Sequence, residues 1–140
     1  MKIVLDLKVV MDTNVFVSGV FFSGPPYQIL NAWQLGAFEL VVSQEILDEY
    51  HRVGEILAEE HPSIDLNPIL HFVIEHAKVY KPVKLKEPVC EDPDDDKFIA
   101  CALSSGSRVI ISGDKHLLKV SGYQGIEVLK PREFVDRYLG

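Results

Sequence analysis

The sequence predicts an α/β domain built on a mainly parallel sheet, and three observations carry that prediction. Short apolar runs at Val9–Asp12, Phe38–Val42, Arg108–Ser112 and Ile126–Leu129 alternate with longer stretches of helical period, which reads as repeated strand–helix units. The runs are apolar on both faces, as strands covered by helices on either side must be. Asp12 and Asp114 each stand just past the carboxyl end of such a run, the edge at which open α/β sheets bind ligands.

Length and composition bound the rest. The chain has 140 residues, 47% hydrophobic and 25% charged, which suits one domain over residues 1–140 with one core. No apolar run approaches the roughly 20 residues of a membrane span. The N-terminal lysine is not followed by an apolar core and cleavage site, so a cytoplasmic location is expected. Cys90 and Cys101 are too few for a disulfide framework and read as packing residues. The formal charge is −7, and it stays negative with four acids set aside as metal ligands. Affinity for phosphate backbones comes from Lys and Arg. Contacts with nucleic acid are therefore expected to be local, or aided by a partner that supplies charge.

In chain order, Met1–Leu7 reads as an extension of the first strand or of the sheet edge. Val9–Asp12 is that strand, and Val15–Phe22 opens a short helix. The break at Ser23-Gly24-Pro25-Pro26 leads into a helix over Tyr27–Leu35, with Ile29, Leu30 and Trp33 inward and Gly36 as the stop. Phe38–Val42 is the second strand. Ser43 then caps a long helix reaching about Glu60. At about 100° per residue, Ile46, Tyr50, Val53 and Leu57 share one arc, while Asp48, His51, Glu55 and Glu59 lie away from it. Glu49 falls on the flank of the apolar arc, close to the strand end. It is either a boundary glutamate reaching water or an acid aimed at the sheet edge.

Asn67-Pro68 starts a helix that is apolar nearly all round through Ala77, as a covered or interface helix would be. Val79–Val83 suits a short edge strand, because Pro82 would be awkward in the centre of a sheet. Lys78, Lys81, Lys84 and Lys86 read as charges protecting that edge, or as a patch for RNA phosphates. Five acids then occur within Glu91–Asp96, ahead of a helix whose inward face is Phe98, Ile99, Ala102 and Leu103 and which Gly106 ends. One or two acids there complement the helix dipole; five repel one another. Arg108–Ser112 is the next strand. A short helix after Asp114, a turn at Ser121-Gly122, a strand at Ile126–Leu129 and a helix over Pro131–Leu139 follow.

Right-handed crossovers gather all parallel strand ends on one edge. Asp12, Glu49, Asp95 and Asp114 are the candidates to meet there. At 4 Å and an effective dielectric of 20, each like-charged pair costs about 4 kcal/mol. Such a cluster either protonates in part or holds a divalent cation. Oxygen ligands suit Mg²⁺ or Mn²⁺, and ions in acid clusters serve phosphate-ester hydrolysis. The five histidines show no metal-ligand spacing and read as surface or satisfied residues; His116, close after Asp114, is the lesser candidate to touch a substrate.

Four stretches in this order, VVMDTNVFVSG, VVSQEILDEYHRV, DPDDDKFIACAL and VIISGDKHLL, resemble the PIN-domain family over nearly the whole chain. Within it the chain is similar to the toxin-like, VapC-related ribonucleases. The resemblance implies a three-layer α/β/α sandwich with a five-stranded sheet of order 3-2-1-4-5. It also implies cleavage of single-stranded RNA with Mg²⁺ or Mn²⁺, by in-line attack of water that leaves 5′-phosphate and 3′-hydroxyl ends. Asp12, Glu49, Asp95 and Asp114 match the family's four acids as catalytic and metal-binding residues. Asn14 and Ser112 match the polar positions beside the first and fourth. The third motif often carries Asn where this chain has Asp96, so Asp95 and Asp96 compete for one role, with spacing favouring Asp95. Asp92 and Asp94 are candidates for capping or for a supporting place near the ion. An antitoxin partner and a homodimer are further implications, with the helix around Ile69–Ala77 a candidate interface. Two other readings stay open. One is a PIN module that binds RNA or protein without cutting. The other is a haloacid-dehalogenase-like phosphatase, disfavoured because Asn14 stands where a second Asp is needed.

Overall fold

A computed structural model describes residues 6–140; most of the Met1–Leu7 extension expected from the sequence lies outside them. The elements run β1 (Lys8–Met11), α1 (Thr13–Phe21), α2 (Pro25–Gln34), β2 (Glu39–Val42), α3 (Gln44–Glu60) and α4 (Asn67–His76). They continue with β3 (Lys78–Val79), α5 (Asp96–Ser105), β4 (Val109–Ile111), α6 (Lys115–Lys119), β5 (Glu127–Leu129) and α7 (Pro131–Phe134). The strands form one sheet of order β3-β2-β1-β4-β5, parallel throughout. Helices flank it, giving the expected α/β/α layering and the expected strand order.

β1 is central, and Val9, Val10 and Met11 are fully buried. That is why these three residues are all apolar: both faces are covered and both edges are paired. The chain leaves β1 through Asp12, whose side chain accepts from the Val15 amide at 2.8 Å while its carbonyl accepts from Phe16. This cap starts α1 at Thr13, two residues before the apolar run suggests. Ser43 performs the same service for α3 through the Ile46 amide. Gly106 ends α5 in the left-handed region at φ 78°, where a Cβ would be strained. Gly19 lets α1 and α2 approach closely, since a Cβ there would stand 2.8 Å from the Pro26 carbonyl oxygen.

α3 is fixed to the β1–α1 junction by one residue. The Tyr50 ring is fully buried and stacks on Phe16 at 4.2 Å between centroids. Its hydroxyl donates to the Met11 carbonyl at 2.6 Å. Because Met11 is the last residue of β1, this bond sets the height of α3 over the end of that strand.

Some segments differ from their sequence pattern. β3 covers only Lys78–Val79, not Val79–Val83. Beyond it the chain runs beside α5, where Ser104 near one end of the helix bonds the Lys81 carbonyl. Near the other end, Asp96 accepts from the Val89 and Cys90 amides. α4 buries Leu70 and Val73 but leaves Ile74 63% exposed, so it is neither wholly covered nor wholly free. In α5 the expected inward Leu103 is only half-buried, whereas Lys97 and Cys101 are buried. The last helix is an α-turn through Phe134 that widens to a π-helix over Val135–Leu139.

Candidate active site

The cleft at the carboxyl edge of the sheet encloses about 320 Å³ and is lined mainly by polar side chains. Asp12, Asn14, Glu49, Asp92, Asp95 and Asp114 all line it, together with Thr13, Arg52 and Asp94. Crossover topology brings them there: all but Glu49 and Arg52 precede or open a helix on the edge where β1, β2 and β4 end, and those two lie further along α3.

Asp12 is the most buried of these acids, at 4% exposure. One carboxylate oxygen takes the Val15 amide and the other takes the Ser112 hydroxyl. Burial nevertheless pushes its pKa up to about 6, with the charges of Asp114 and Glu49 adding to the rise. The Ser112 hydroxyl also accepts from the Asp114 amide at 2.9 Å, so one side chain ties the ends of two adjacent strands. Asp114 caps α6 by accepting from the His116 amide at 2.7 Å. His116 pairs with Glu91 at 3.2 Å and does not line the cleft.

Asp95 and Asp96, indistinguishable by type, have different environments. Both oxygens of Asp96 are taken by the Val89 and Cys90 amides, which is a structural use. Asp95 lines the cleft, and its Oδ2 is buried without a hydrogen-bond partner. Burial raises the Asp95 pKa to about 6, and Asp114, Asp92 and Asp12 push in the same direction. Asp92 accepts from the Asp94 amide at 3.0 Å and so shapes the turn Pro93–Asp95.

Glu49 is held from two sides. The Thr13 hydroxyl donates to Oε1, and the Lys97 ammonium donates to Oε2. Arg52 stands 3.7 Å away at the rim. Lys97 also donates to Asp94 Oδ1 at 3.0 Å and lies 5.7 Å from the centroid of the Phe98 ring. Burial works against its ammonium, but the bonds to Glu49 and Asp94 hold it above the ordinary lysine value. Motif reading passes over Lys97 and Thr13. The available signal is a lysine at the start of a helix that is followed by Phe98, Ile99, Ala100 and Cys101, all apolar.

The donors suit a divalent cation of the Mg²⁺ or Mn²⁺ kind: all are oxygens, most are carboxylates, and one is buried with no partner. Among the described residues no group of three or more His, Cys, Asp or Glu side chains closes into a ready-made metal cage. Several of these oxygens accept hydrogen bonds from Ser112, Lys97, Thr13 and backbone amides.

The family model for the PIN domain matches residues 8–116, which takes in β1 through the start of α6 and every residue of the cleft. The chain belongs to the PIN-domain family. The PIN fold is a nuclease fold, and PIN domains are generally metal-dependent. This PIN domain is also similar to an uncharacterized protein of Methanocaldococcus jannaschii, 29% identical over an alignment covering 96% of this chain and 93% of the relative. Among the described residues no helix of the PIN domain is long and apolar enough to cross a membrane.

Proposed function

We propose that this PIN domain is a Mg²⁺- or Mn²⁺-dependent endoribonuclease acting on single-stranded RNA, and the toxin of a toxin–antitoxin pair. The observation that carries the nuclease reading is the meeting of Asp12, Asp95 and Asp114 with Glu49 in one cleft, with a bare buried oxygen on Asp95. Acids so placed, with Asp12 and Asp95 raised toward protonation by burial and then by neighbouring carboxylates, make a site whose missing component is positive charge. Asp12, Asp95 and Asp114 would hold the ion, with Glu49 taking part directly or through water. A divalent ion so held supplies Lewis acidity toward the phosphodiester and makes water more acidic.

The chain's own residues do the positioning. Val15 and Ser112 fix the Asp12 carboxylate, and Thr13 and Lys97 fix that of Glu49. Asn14 and Arg52 stand at the rim, where they can donate to a phosphate of the substrate. The toxin role, the antitoxin partner and a homodimer rest on the sequence resemblance. Light scattering of the protein alone and co-purification with the product of an adjacent gene test them.

The nuclease reading is tested with purified protein on single-stranded RNA. Cleavage in Mg²⁺ or Mn²⁺ that yields 5′-phosphate ends, stops in chelator and is abolished in Asp12→Asn and Asp95→Asn is expected. Equal cutting by Asp12→Asn and the parent refutes it. RNA binding with and without metal, never followed by cleavage, would favour a purely binding module.

A further inference from the structure

The cleft has two halves of opposite electrostatic character. In one, neither Asp12 nor Asp95 forms an ion pair among the described residues, and Asp95 Oδ2 is buried and bare. In the other, Glu49 and Asp94 are bridged by Lys97. The lysine side chain is 6% exposed, which is rare for this residue type and costly unless the ammonium is paired. Here it is paired with Glu49 and Asp94 and lies near the Phe98 ring, which favours a cation on its face. The Thr13 hydroxyl takes the other Glu49 oxygen. Each Glu49 oxygen thus already has a side-chain donor, and on Oε2 that donor is itself a cation.

We propose that Lys97 is a built-in cation that occupies the place a second divalent ion would take between Glu49 and Asp94, so that the cleft binds a single divalent ion on its Asp12–Asp95–Asp114 side. Lys97 is thus a positioning residue: it keeps Glu49 oriented and keeps a second ion out. The inference rests on the metal-dependent reading above, but it concerns how many ions bind, not what is cut.

An ammonium and a divalent ion both satisfy a pair of carboxylates. The ammonium carries half the charge, and it is tethered to α5, so it cannot be lost to dilution or chelator. Displacing it would strand a positive charge among Phe98 and the buried face of α5, which opposes entry of a second ion.

The test is Mn²⁺ titration of the metal-stripped full chain, without RNA, reading free Mn²⁺ by electron paramagnetic resonance. One bound ion is expected for the parent and two for Lys97→Met. Lys97→Met combined with Glu49→Gln should return the count to one. Two ions in the parent, or one ion in folded Lys97→Met, overturns the proposal. If Lys97→Met does not fold, Lys97→Gln takes its place, with two bound ions again expected and one overturning the proposal. A chain that binds one ion yet never cuts RNA refutes the nuclease reading and keeps this one; a nuclease that binds two does the reverse.

Discussion

Replacing Asp12 by asparagine without metal should change stability in a pH-dependent way whose size follows from the site. Asp12 has its pKa raised from 3.8 to about 6. Below the unfolded value both states are protonated and burial carries no charge penalty. As pH rises, the unfolded chain releases this proton first, so the folded state binds more protons and stability falls until the pH passes about 6. A shift of this size corresponds to about 3 kcal/mol lost between acid and neutral pH. For a domain of this length that is about 10 °C in melting temperature. The asparagine side chain keeps an acceptor for the Val15 amide but turns an NH₂ toward Ser112. The substitution therefore also carries a cost that does not vary with pH. The informative quantity is the difference between parent and Asp12→Asn, followed by urea unfolding in chelator from pH 4 to pH 8. The variant should gain on the parent by most of about 3 kcal/mol as pH rises, and the curves should run parallel above pH 7. A difference that is flat across this range would refute the claim that the Asp12 charge is buried and uncompensated.

Mg²⁺ or Mn²⁺ should stabilise the parent more at pH 8 than at pH 5, because Asp12 and Asp95 must release protons to accept the ion; differential scanning calorimetry at two pH values reads this, and equal shifts would contradict it. Tyr50→Phe keeps the stack on Phe16 but leaves the buried Met11 carbonyl without its donor. It should cost about 1–3 kcal/mol in urea unfolding, and an unchanged midpoint would mean that water replaces the hydroxyl. Gly19→Ala should destabilise by about 1–3 kcal/mol, because the new methyl meets backbone rather than a movable side chain. A neutral Gly19→Ala in thermal melts would show that α1 and α2 can part without loss.

The elements that the sequence makes plain are those whose environment is the same along their length. β1, β2 and β4 are buried on both faces, so their residues are apolar without interruption, and the acid after β1 marks its end as clearly as a turn would. Glu49 is recoverable from helical phase, since it follows from where Ile46 and Tyr50 point. Asp95 over Asp96 can be argued only by spacing, because the difference between them is tertiary: one is claimed by the amides of Val89 and Cys90, the other is not. Lys97 is hidden for the same reason. Its partner Glu49 lies 48 residues away, and the apolar residues that follow it do not say which distant acid it meets. β3 is shorter than its pattern suggests because alternating polarity does not say where the neighbouring strand stops offering partners.

The order of strands across the sheet has a consequence for synthesis from the N-terminus. β1 lies between β2 and β4, yet β4 is made about a hundred residues after it. A partly made chain can dock α3 on the Tyr50 contact and present Glu49, but it has no Ser112 to steady Asp12 and no Asp114 opposite. The polar cleft therefore comes into being late, when the fourth strand slides in beside the first, and a ribosome still adding residues before that point carries a chain with no assembled centre.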